Sequence, residues 1–210
     1  MNNFVKILDW SYDFGILLPD LLDIVKEKEL WAKTNNSFCI VEKRELVSFE
    51  IFKKIESSLN DCNIQIIRGV LRQSFPKRFT EIHTDSVRVE SVTDLLDLGV
   101  ALNIPLKNAN TALTHWYDFS ENKEINIYNI KISDNFTKLS SLFSIDYLLK
   151  HKVFTFTMNG PVVINTSIPH NVDTRHSGNN RFILSLQLMP ADKPQMLTWE
   201  KANAIASITL

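Results

Sequence analysis

Glycine is scarce, at five residues in a chain of 210. That scarcity excludes the glycine-rich loops that cradle phosphates. There are only two cysteines, Cys39 and Cys62. Their spacing suits no metal site, so they read as reduced bystanders in a cytoplasmic protein rather than a disulfide. No run of eighteen apolar residues exists, so no membrane-spanning helix is expected. Residues 1–9 have no long apolar stretch, so no secretory leader is expected. Neither sign of charge dominates: 23 Lys+Arg stand against 24 Asp+Glu, a formal net charge of -1. That balance argues against nucleic acid or an anionic membrane surface as a partner. What is there is ordinary globular composition, 44% hydrophobic and 22% charged. A chain of this length can bury a sizeable core and fits one domain over 1–210. It has no internal repeat, low-complexity segment or linker.

Two helices come first. Residues 1–14 read as an irregular or short extended lead-in. Leu17 to Lys33 then reads as a helix, with Leu18, Leu21, Leu22 and Val25 at helical spacing and Pro19 near the start. Ser48 reads as the N-cap of a second helix that carries Phe52, Ile55 and Leu59 on one face.

From about residue 64 the pattern turns β-rich. Strands are expected at Ile64 to Leu71, Arg78 to Asp85, Leu98 to Leu106, Ala112 to Phe119, Ile125 to Ile132, Val153 to Met158, Val162 to Asn165 and Arg181 to Leu188. Thr137 to Lys150 reads as partly helical, through Ile145, Leu148 and Leu149. Regularly spaced short strands of this kind suggest a β-sandwich or barrel.

The chemistry centres on Glu81-Ile82-His83-Thr84-Asp85-Ser86. On an extended strand, residues i and i+2 share a face, so His83 and Asp85 can reach one small object together. A third partner would complete a divalent-metal site, and the candidate is His170, within Ile168-Pro169-His170-Asn171-Val172. Two histidines and a carboxylate with open positions opposite suit non-haem Fe(II) chemistry.

The last strand adds a charge. Phe182, Leu184, Leu186 and Leu188 occupy one face; Arg181, Ile183, Ser185 and Gln187 occupy the other. An arginine embedded in such a strand needs an anion, because a buried unpaired charge is costly. That anion is either a ligand in a barrel mouth or a protein carboxylate, and the pattern leaves both open.

His83-Thr84-Asp85, then His170, then Arg181, in that order, resembles the 2-oxoglutarate-dependent Fe(II) oxygenase superfamily. His170 lies 85 residues after Asp85, and Arg181 lies 11 after His170, intervals similar to that family's. The resemblance covers about residues 65–190. It implies a mainly β fold with flanking α: a double-stranded β-helix, the jelly-roll of cupin-like proteins, over about 64–190, with helical support over about 1–63. It implies His83, Asp85 and His170 as iron ligands and Arg181 as the residue holding the distal carboxylate of 2-oxoglutarate. One departure is visible, since some members carry a serine two residues after the arginine and this chain has Ile183 there. The co-substrate then meets another hydroxyl, with Ser185 the candidate, or none. Asn103 is a co-substrate contact or a structural asparagine. Trp116 and Tyr117 line the substrate pocket or belong to the core. His115, His151 and His176 compete as ligands, but none stands two residues from an acid.

The implied activity is that of a dioxygenase using Fe(II), 2-oxoglutarate and O2. It would hydroxylate a small molecule, an amino acid or a protein side chain, with release of succinate and CO2. Two other classes stay open. One is a cupin-like metal enzyme without 2-oxoglutarate, which would have no use for Arg181. The other is a non-catalytic jelly-roll binding module.

Overall fold

The computed structural model describes residues 3–27, 38–84, 86–88, 95–97, 99–121, 143–192, 195 and 197–210. Of the sequence expectations, residues 28–33 of the first helix, Leu98, Ile125 to Ile132 and the start of the segment from Thr137 fall outside these residues, as does Asp85.

In chain order, β1 is Val5–Ile7 and α1 is Leu18–Glu27. Next come β2, Phe38–Glu42, α2, Lys43–Leu46, and α3, Glu50–Asp61. The strands β3, Ile64–Ser74, β4, Ser86–Arg88, β5, Leu95–Asp97, β6, Val100–Lys107, and β7, Leu113–Tyr117, follow. Then α4, Ile145–Leu149, precedes β8, Lys152–Thr157, β9, Val162–Asn165, β10, His170–Asp173, and β11, Arg181–Pro190. A last short helix, α5, spans Ala202–Ala206.

All the strand pairings described are antiparallel. Six strands form a major sheet in the order β1-β9-β6-β11-β3-β2, three form a minor sheet in the order β10-β7-β8, and β4 pairs with β5. Strand alternation explains how the layers pack. On β6, Val100, Leu102, Ile104 and Leu106 join Leu184, Leu186 and Leu188 of β11 in one cluster with Leu21 and Val25 of α1, Phe52, Ile55 and Leu59 of α3, and Ile205 of α5. The helices therefore cover the outer face of the major sheet. On its inner face Ala101, Val162, Ile164 and Ile183 pack with Trp116 of the minor sheet. The outer face of the minor sheet is closed by Ile82, Tyr117, Phe119 and Leu148. The architecture is helices on a major sheet on a minor sheet, a mainly β fold in which the two sheets sandwich an inner space. No described helix is long and apolar enough to cross a membrane.

Two expectations need correction. The N-cap of α3 is Phe49, not Ser48, whose hydroxyl instead donates to the Glu45 carbonyl at 2.6 Å. The preceding turn, α2, ends at Leu46 and uses Ser48 up in its own closure. The described part of the expected strand from Arg78, residues 78–84, is not a regular strand either. Two isolated bridges, Phe79 to Asp173 and His83 to His170, tie its described part to β10.

Candidate metal and co-substrate site

His170 opens β10 with its neighbour Trp116 across the ladder on β7. His83 sits on the facing segment, and backbone bonds run both ways between the two: His83 N–H to the His170 carbonyl at 2.9 Å and His170 N–H to the His83 carbonyl at 2.8 Å. Directly opposed residues share a face, so the imidazoles stand side by side, ring centroids 4.6 Å apart and tilted by 46°. The Nδ1 atom of His83 lies 2.9 Å from the Glu81 carbonyl, and that of His170 lies 3.0 Å from the Ile168 carbonyl. A carbonyl only accepts, so Nδ1 is the donor in each pair, and in the neutral ring Nε2 is the nitrogen left with the lone pair. This is the orientation that backbone carbonyls impose on metal-ligating histidines. Trp116 backs His170 at 6.1 Å between rings, with its Nε1 donating to the Asn165 carbonyl at 3.0 Å.

Both rings line a cavity of about 650 Å³ between the sheets. Across it, from β6 and β11 of the major sheet, come Asn103, Arg181, Ile183 and Ser185. Asn103 and Ser185 face each other in register. Thus three of the residues singled out in the sequence besides His83 and His170 line the cavity, Arg181, Asn103 and Ser185, while Asp85 lies outside the described residues.

Arg181 is 2% exposed. Burial, and then the neighbouring Arg72 guanidinium, push its pKa down to about 10. Its hydrogen bond among the described residues is a long one, 3.5 Å to the Ser74 hydroxyl, and no described carboxylate pairs with it. Three buried side-chain polar atoms lack a partner among the described residues: Arg181 Nε, Asn103 Oδ1 and Thr84 Oγ1. All three belong to residues lining this one cavity. Buried polar groups are nearly always paired, and each orphan costs about 1–3 kcal/mol. Their convergence marks a place for a polar ligand.

The competing histidines lie elsewhere. His115 is on the outer face of the minor sheet, between the Thr155 hydroxyl at 2.9 Å and Asp173 at 3.4 Å. Burial holds its pKa below the ordinary value, against the pull of the Asp173 hydrogen bond. Asp173 would itself be raised by burial, but bonds from Arg175 hold it below the usual carboxylate range. His151 packs between Phe119 and Tyr147, and His176 is exposed in a turn. Trp116 and Tyr117 are both core; the aromatic that lines the cavity is Phe38 of β2. Sequence reasoning also missed Arg72, Thr80 and Thr84. Arg72 shares the inner face because it opposes Ile183, a relation visible only once strands are paired.

No protein-family model matches this chain, and no curated protein matches it in sequence. Solved structures do resemble it. SnoK, a non-haem alpha-ketoglutarate-dependent carbocyclase from nogalamycin biosynthesis, aligns with TM-score 0.54 and 12% identity over 95% of this chain and 84% of its own. HygX from Streptomyces hygroscopicus, with nickel and 2-oxoglutarate bound, aligns at 0.48 and 8% over 89% and 81%. The viral collagen prolyl hydroxylase of Paramecium Bursaria Chlorella virus-1, in its 2OG complex, aligns at 0.46 and 13% over 88% and 94%. The likeness to SnoK spans nearly all of this chain, and the fold is the double-stranded β-helix with flanking helices.

Proposed function

We propose that this chain is an Fe(II)- and 2-oxoglutarate-dependent dioxygenase. His83 and His170 would hold the metal through Nε2, with Asp85 as the third ligand. The observation that carries this reading is Arg181: a buried guanidinium, without a described carboxylate partner, in the same cavity as two tautomer-fixed imidazoles. A planar fork matches a carboxylate with two parallel bonds. Arg181 would bind the distal carboxylate of 2-oxoglutarate, with Asn103 and Ser185 as further polar contacts. When bound, iron and the keto acid supply O2-dependent oxidation coupled to release of succinate and CO2. The chain's part is to orient the reactants and to exclude water, which the apolar wall of Ile164, Val172 and Ile183 serves. A cavity of about 650 Å³ is in the range of small-molecule sites and leaves room for a substrate beside a five-carbon diacid. The substrate class is a small molecule, an amino acid or a peptidyl side chain, and hydroxylation is the expected outcome.

Oxygen-dependent conversion of 2-oxoglutarate to succinate by the iron-loaded protein tests the proposal. The expected rate without substrate is slow, and H83A and H170A should abolish both bound iron and succinate. Succinate formation that survives in H170A would remove His170 from the site.

A further inference from the structure

The two bridges that tie the His83 segment to β10 do not keep step. His83 lies four positions after Phe79, but Asp173 lies only three after His170. One residue is therefore extra on the 79–83 side, which makes it a β-bulge. Side-chain directions agree. Phe79 and Ile82 both pack in the cluster on the outer face, whereas Thr80, Glu81 and His83 line the cavity. An unbroken strand alternating from Phe79 would turn residue 83 outward, away from His170. The bulge brings the His83 ring into the cavity.

A bulge interrupts the backbone ladder, and here side chains fill the gap. Thr80 meets β10 with every polar atom it has. Its N–H donates to the Val172 carbonyl at 3.0 Å. Its hydroxyl donates to that same carbonyl at 3.0 Å and accepts the Val172 N–H at 2.8 Å. Its carbonyl accepts from Asn171 Nδ2 at 2.9 Å. Asn171 is fixed in turn, its Oδ1 accepting the Tyr117 hydroxyl at 2.8 Å. Asn171 and Tyr117 are buried, so these bonds are shielded from water.

We infer that Thr80, Asn171 and Tyr117 are positioning residues that hold this bulge and so aim His83; the inference rests on the reading of His83 as a metal ligand. None of the three need touch the metal. Outer-shell partners of this kind typically change metal affinity about 10- to 100-fold.

Anaerobic Fe(II) titration by calorimetry, with the Tm of each metal-free protein, tests it on T80V, T80S, Y117F and H83A. T80V should weaken Fe(II) binding about 10- to 100-fold, T80S should restore most of the affinity, and Y117F should lose less than T80V in the same direction. A lower Tm with the parent's Fe(II) affinity in T80V would make the role purely structural and overturn the inference. Should T80V not fold, parental affinity in Y117F overturns it instead. If H83A itself binds Fe(II) like the parent, the ligand reading fails, and the positioning role falls with it.

Discussion

Arg181 is a buried guanidinium without a described carboxylate to meet it, and the proposed function rests on it. A structural arginine would be held by a protein carboxylate; this one faces a cavity. Removing one partner of a buried charged pair costs about 2–5 kcal/mol, or roughly thirty- to several-thousand-fold in affinity. R181A should therefore weaken 2-oxoglutarate binding to the Fe(II)-loaded protein by that order while iron still binds, and R181K should recover only part, lacking the fork. An unchanged 2-oxoglutarate Kd in folded R181A would take Arg181 out of the site. The inner-facing side of β11 was legible because its alternation is unbroken from Arg181 to Leu188. His170 was legible from its type and position. The bulge that turns His83 inward was not, because a bulge is defined only against its partner strand. Arg72 and Thr84 stayed hidden for the same reason, since cross-strand neighbours are set by register.

Elements were legible where the core demanded a strict period. The strands β6, β9 and β11 follow their sequence patterns within a residue or two, because each buries a full face. Two elements, β2 and α5, were not expected from the sequence. Gly69 shows how tightly the outer layer is packed. A Cβ there would stand 2.9 Å from Leu184 Cδ1 and 3.1 Å from Leu46 Cδ1, both on fully buried leucines. Overpacking of this kind costs about 1–3 kcal/mol. The benefit of replacing a strand glycine, up to about 1 kcal/mol, offsets only part. G69A should lower the Tm by a few degrees, yet leave Fe(II) affinity unchanged, because Gly69 lies on the helix-covered face. Thermal unfolding and metal titration of one preparation check both halves; a raised Tm would contradict the packing argument.

At the scale of the whole molecule, the three layers divide the labour. Helices seal one face of the major sheet, polar and aromatic contacts seal the outer face of the minor sheet, and the polar orphans gather between the sheets. The proposed function has this inner space bind Fe(II) and 2-oxoglutarate together, which the visible spectrum during anaerobic addition of Fe(II) and then 2-oxoglutarate tests. A weak charge-transfer band is expected that needs both additions, is absent in H170A, and in R181A appears only at higher 2-oxoglutarate. A folded parent protein that takes up neither Fe(II) nor 2-oxoglutarate would overturn the proposal and leave a binding module built on the same fold.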